Sequence, residues 1–162
     1  MHPLYKAALI LTALFFLTGP AQACRFKPDE RPLVDRMADY HTVFIGSVMD
    51  AVNETGTGNT EATFTVQLAI KGALQDGDTV KVESHEGSCA LRYEAGQVWL
   101  VVAGEEKPPY TTHMADASLL IADEKGRPVA GWEIIKPLLT KGTHLVCDHN
   151  ICHLASEAPA HE

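Results

Sequence analysis

Phe64-Thr65-Val66-Gln67-Leu68-Ala69-Ile70-Lys71-Gly72 is the stretch that settles the fold class. Phe64, Val66, Leu68 and Ile70 recur at every second position, the period of a strand with one apolar face. Lys71-Gly72 and then Gln75-Asp76-Gly77-Asp78 mark a turn. Beyond it, Thr79-Val80-Lys81-Val82-Glu83 and the strongly apolar Gln97-Val98-Trp99-Leu100-Val101-Val102-Ala103 read as further strands, and Ser118-Leu119-Leu120-Ile121-Ala122 as a fifth. Upstream, residues 41–49 are β-rich and residues 53–59 have the composition of a turn. Five short strands with Gly-containing turns predict a mainly β domain, a small barrel or a sandwich, and the pattern does not choose between them. Two short helices complete the expectation. One covers residues 29–39, with Asp29 as N-cap and Leu33, Val34 and Met37 on one face. The other covers residues 131–139 and is interrupted by Pro137. Phe64 and Trp99 sit inside apolar strand patterns and are expected in the core.

The chain has 162 residues, room for one domain. Its 46% hydrophobic and 21% charged content is that of a globular protein and excludes a disordered or collagen-like chain. Its formal net charge of -8 runs against the basic balance that phosphate contacts demand, so nucleic acid is not an expected partner.

Residues 1–23 read as a signal peptide. Lys6 precedes the apolar run Ala7-Ala8-Leu9-Ile10-Leu11-Thr12-Ala13-Leu14-Phe15-Phe16-Leu17, and Gly19-Pro20 and Ala21-Gln22-Ala23 supply the break and the small-x-small cleavage pattern. The alternatives are a retained anchor, for which the run is shorter than the roughly 20 residues of a bilayer span, and a lipidated Cys24. Cleavage predicts a secreted or periplasmic chain with no stable membrane span, a domain over residues 24–154 and a flexible tail over 155–162. In an oxidising compartment, Cys24, Cys89, Cys147 and Cys152 read as two disulfides, with three connectivities open.

The order of landmarks carries a resemblance. A mature N-terminal cysteine is followed by an amphipathic helix and Thr42-Val43-Phe44-Ile45-Gly46-Ser47-Val48. The 64–72 strand, Gly87-Ser88-Cys89 and Tyr93-Glu94-Ala95-Gly96-Gln97-Val98-Trp99-Leu100-Val101-Val102-Ala103 then come in turn. From Cys24 to about Ala103 this resembles the netrin-like domain of the tissue inhibitors of metalloproteinases, particularly its short bacterial relatives. The resemblance implies a five-stranded OB-like barrel with the N-terminal segment fastened to it by disulfides. It also implies a bond between Cys24 and Cys89. The family starts Cys-x-Cys, whereas Cys24-Arg25-Phe26 lacks the second cysteine. That departure leaves Cys147 and Cys152 to pair with each other.

The resemblance further implies how such a module would act. The amine and carbonyl of Cys24 would bind the open coordination position of a partner protease's zinc, with Arg25 entering its specificity pocket. The expected activity is therefore non-enzymatic binding of a protein partner, a zinc metalloprotease in its sharpest form, with no cofactor. A second reading comes from the C-terminal cluster itself. His144, Cys147, His149, Cys152 and His153 carry soft and borderline donors for copper or zinc, which would make the chain a periplasmic metal-binding protein. Even with the disulfide closed, His144, His149 and His153 remain as imidazoles. No Cys-x-x-Cys, His-Glu-x-x-His, Gly-x-Ser-x-Gly or phosphate-loop motif points to catalysis.

Overall fold

The computed structural model describes residues 27, 29–55, 57–85, 89–139, 143–148 and 151–156. Helix α1 (Leu33–Ala38) leads into β1 (Thr42–Asn53), β2 (Thr60–Lys71), β3 (Thr79–Ser84) and β4 (Val98–Ala103). A short β5 (Tyr110–Thr112) and β6 (Leu119–Ala122) follow, then α2 (Ala130–Ile135), which runs on as a 3-10 turn (Lys136–Leu138). The hairpin β7 (Thr143–Asp148) and β8 (Ile151–Ser156) ends the described chain. The Phe64–Ile70 alternation lies within β2, but its single apolar face is corrected. Phe64 and Val66 are buried in one core cluster, whereas Leu68 packs against the other and Ile70 is 42% exposed, because the register against β1 shifts between Val66 and Leu68. Trp99 is likewise in the core, 7% exposed.

The expectation of a closed five-stranded barrel is corrected. Among the described residues there are eight strands, six of them in one sheet of order β5-β3-β2-β1-β4-β6 and two in the separate hairpin. Closure would require β4 to pair with β5, and the edge of β4 that this would use is already taken. Strand β6 pairs there antiparallel, Val98 with Ala122 and Leu100 with Leu119. Beyond β6, the Val102 N–H donates to Ser118 Oγ at 3.1 Å. Strand β5, three residues long, pairs in parallel with β3 and lies beside β4 without a ladder to it.

The sheet is nonetheless strongly curled. Strand β1 carries three register irregularities against β2, each of which adds bend and twist. At Gly46 the strands approach so closely that a Cβ would lie 2.9 Å from the Thr65 carbonyl and 3.1 Å from the Phe44 ring. The concave face encloses Phe44, Val48, Phe64, Val82, Tyr93, Val101 and Tyr110. Its aromatic rings meet edge to face: Phe64–Tyr93 centroids lie 5.2 Å apart at 87°, and Tyr93–Trp99 5.1 Å apart at 80°. The convex face of β1 and β4 forms a second cluster, Val43, Ile45, Leu100 and Val102. It is covered by Trp132 and Ile135 of α2, by Leu33, Met37 and Tyr40 on the N-terminal side, and by Leu145, Cys152 and Leu154 of the hairpin.

Helix α1 is shorter than expected and starts later. Pro32 is its N-cap, and the residue before a proline is kept out of the helical region, so the helix cannot begin at Asp29. Asp29 instead accepts hydrogen bonds from Arg31 Nε and, at 2.7 Å, from Nη2. These contacts hold the Asp29 carboxyl down to about 2. Leu33 and Met37 face the sheet, while Val34, expected on the same face, is 53% exposed. At the other end of the chain, β8 continues to Ser156, two residues into the stretch read as a tail.

Helix α2 rests directly on β6 through Gly131, where a Cβ would collide with the Leu120 carbonyl. Replacing Gly131 with Ala therefore has to push α2 off the sheet, at a cost of about 2–3 kcal/mol. The expected outcome in denaturant unfolding is a lower midpoint for Gly131→Ala. Gly104→Ala, where nothing lies within 4 Å of the added carbon, should shift stability by less than about 0.5 kcal/mol.

Candidate functional site

Cys24 and Arg25, the residues expected to engage a partner, lie outside the described residues. Cys89, their expected anchor, is disulfide-bonded and half-buried at the start of the connection into β4. Several hydrogen bonds among the described residues brace the segment that follows it. Ser84, wholly buried at the end of β3, donates its hydroxyl to the Thr112 carbonyl at 2.8 Å and accepts the Leu91 N–H at 2.7 Å. The Cys89 carbonyl accepts the Met114 N–H at 3.2 Å. Thr112 Oγ1 donates to the Glu83 carbonyl, so the 2.6 Å contact with Tyr93 has the phenol as donor. Burial pushes the Tyr93 phenol up and keeps it protonated. Asn53 Nδ2 adds a bond to the Tyr93 carbonyl at 3.2 Å. The segment from Cys89 to Tyr93 is thus tied to β1, β3 and β5.

A second set of contacts joins this platform to α1. Asp116 accepts the Tyr40 hydroxyl on Oδ1 at 3.0 Å and the His113 N–H on Oδ2 at 2.8 Å. The Asp116 carbonyl accepts Arg36 Nη2 at 3.0 Å. Desolvation first, and then the negative charge of Asp116, pushes the Tyr40 phenol up to about 12. The turn that holds Met114 against Cys89 is therefore also the turn that holds α1.

The C-terminal cluster is arranged differently from a ligand set. Cys147 and Cys152 are bonded to each other, with Cα atoms 4.1 Å apart, so neither sulfur is a thiolate. They face one another across the hairpin, as do Leu145 and Leu154, whereas His144 stands opposite Ala155 and His153 opposite Val146. Side chains alternate along a strand, so His144 and His153 leave from the face opposite the cysteines. His149 lies outside the described residues. Among the described residues no group of three or more His, Cys, Asp or Glu side chains is placed to hold a metal ion. No helix there is long and apolar enough to cross a membrane.

A polar cleft of about 260 Å³ opens at Glu54, Glu61, Glu83 and His85. Each carboxylate there has an internal partner: Thr57 for Glu54, Lys81 for Glu61 and His85 for Glu83. The sequence pointed to Cys89 but not to Ser84, Thr112, Tyr93 or Asp116. A lone serine ending a strand carries no local signal, because its two partners come from separate segments. No family model and no curated protein matches the chain.

Replacing Ser84 with Ala removes a buried hydroxyl that serves as donor and acceptor at once. It should cost about 1–3 kcal/mol, since the Leu91 N–H and the Thr112 carbonyl lose their partner. Hydrogen exchange should accelerate at Leu91 and Met114 well before it does in β1 or β4.

Proposed function

We propose that the chain is an exported, non-enzymatic binding module of the netrin-like kind, acting on a protein partner through Cys24 and Arg25. The observation that supports this reading is the sheet order β5-β3-β2-β1-β4, with β6 added outside β4. With β1 between β2 and β4 and with β3 parallel to β5, these five strands resemble an OB-type arrangement left open between β5 and β4. Disulfide-bonded Cys89 sits on the braced connection from β3 to β4, where the resemblance puts the anchor of the N-terminal segment. The partner chemistry follows from that segment. An N-terminal α-amine has a pKa near 8, so it is partly neutral at physiological pH and can donate a lone pair to a catalytic zinc with an open position. The adjoining Arg25 guanidinium would fill the neighbouring pocket and set which protease is preferred.

Protein beginning at Cys24, assayed against a panel of zinc metalloproteases, is expected to inhibit at least one. Peptide mapping without reduction should join Cys24 to Cys89. Adding one alanine before Cys24, or acetylating its amine, should abolish inhibition without moving the melting temperature, because the lone pair is displaced or lost while the fold stays intact. Arg25→Ala should change the preferred protease. Equal inhibition by the extended protein, or no inhibition by any form, rejects the zinc-directed reading.

A further inference from the structure

Hairpin β7–β8 shares no ladder with the six-stranded sheet. Instead the side-chain amide of Gln67, on β2, takes the place of a neighbouring strand. Its Nε2 donates to the Cys152 carbonyl at 2.8 Å and its Oε1 accepts the Leu154 N–H at 3.0 Å. Beneath this clamp the two halves of the disulfide are unlike. Cys147 is exposed, whereas Cys152 is 0% exposed in the cluster that holds Ile121, Trp132 and Ile135.

We propose that the hairpin is a thiol-gated strap. While Gln67 holds it down, the Cys147–Cys152 disulfide resists reduction; once it lifts, a dithiol opens the disulfide and the hairpin does not reseat. The chemistry explains the gate. A thiolate of a dithiol reductant attacks the exposed Cys147 Sγ, the S–S bond breaks, and the electron pair leaves on Cys152 Sγ. The reductant's second thiol then displaces Cys147 as it forms its own disulfide. In all, two electrons and two protons pass from the dithiol to the two cysteines. With the hairpin docked, the leaving thiolate would form inside an apolar cluster, where an unpaired charge is strongly disfavoured. Lifting the hairpin puts Cys152 in water and removes that obstacle. A two-stranded hairpin without its cross-link is marginal by itself, so reduction leaves Leu145 and Leu154 off the convex cluster they help to cover.

The test uses protein beginning at Cys24 under native conditions, with dithiothreitol as the dithiol. Thiols are trapped by alkylation at intervals and each disulfide is followed by mass. Gln67→Met keeps the length of the side chain and removes both hydrogen bonds; Gln67→Ala is the second variant. Each should speed reduction of Cys147–Cys152 by about tenfold, the effect of losing two modest hydrogen bonds. The disulfide of Cys89 should keep its wild-type rate, which separates lifting of the strap from general unfolding. Reduced wild-type protein should also bind an apolar dye that the oxidised form does not. Equal rates in wild type and both variants would overturn the gate, as would parallel acceleration of the Cys89 disulfide. An absence of new dye binding after reduction would overturn the release.

Discussion

All six residues of β4, from Val98 to Ala103, are buried, and the rest of the structure follows from covering them. A strand with two apolar faces needs a core on each side, and its backbone needs a partner on each edge. Strand β1 supplies one edge and β6 the other, with Ser118 finishing the row at Val102. The concave side receives the aromatic cluster of Phe44, Phe64, Tyr93 and Trp99. Among the described residues, the convex side is covered piecemeal by α1, α2 and the two-stranded hairpin. Each large apolar side chain buried there contributes about 1.5–3 kcal/mol, which is why short elements of six residues can be held in place without extensive pairing of their own.

That constraint also explains which parts were legible in the sequence. The alternation of β2 and the apolar run of β4 are local patterns, and both segments are strands where expected. The one-faced period of β2 nonetheless breaks between Val66 and Leu68, where its register against β1 shifts. Strand β5 escaped notice because it is three residues, Tyr110, Thr111 and Thr112, ordered by parallel pairing with a distant β3. Strands β7 and β8 were obscured by their chemistry. The cysteines and histidines from His144 to His153 suggest ligands, and attention to donor types hides the alternation that makes them a hairpin. Openness of the sheet was not legible at all, since β5 and β6 compete for the neighbourhood of β4 and no local pattern ranks them.

The site divides in the same way. The Cys147–Cys152 bond follows from the departure at Phe26, where the resembling family has a second cysteine, and the structure contains it. The platform around Cys89 depends on Ser84, Thr112, Tyr93 and Asp116, which are ordinary residues until four segments converge on them. Gln67 shows the limit of a one-strand reading most clearly. Alternation assigns it to the outer face of β2, and that face is solvent only until another element lies across it. Here the amide carries the two hydrogen bonds that a ladder would have made.

The two ends of the chain are linked by the cluster they share. Leu33, Met37 and Tyr40 pack against the same convex residues as Leu145 and Leu154. Tyr40 and Arg36 also fasten the Asp116 turn, whose Met114 N–H holds the Cys89 carbonyl. Removing the hairpin therefore strips one wall from the cluster that seats α1 and Tyr40, and Arg36 of α1 and Tyr40 both support the Asp116 turn. Ser84 and Tyr93 brace the Cys89 segment from the other core, through β3 and β5, without involving α1. The platform thus draws on both faces of the curled sheet. Only the contribution routed through α1 and Tyr40 depends on the convex cover, so loss of that cover would loosen the Asp116 side while the attachment from β3 to Cys89 persists.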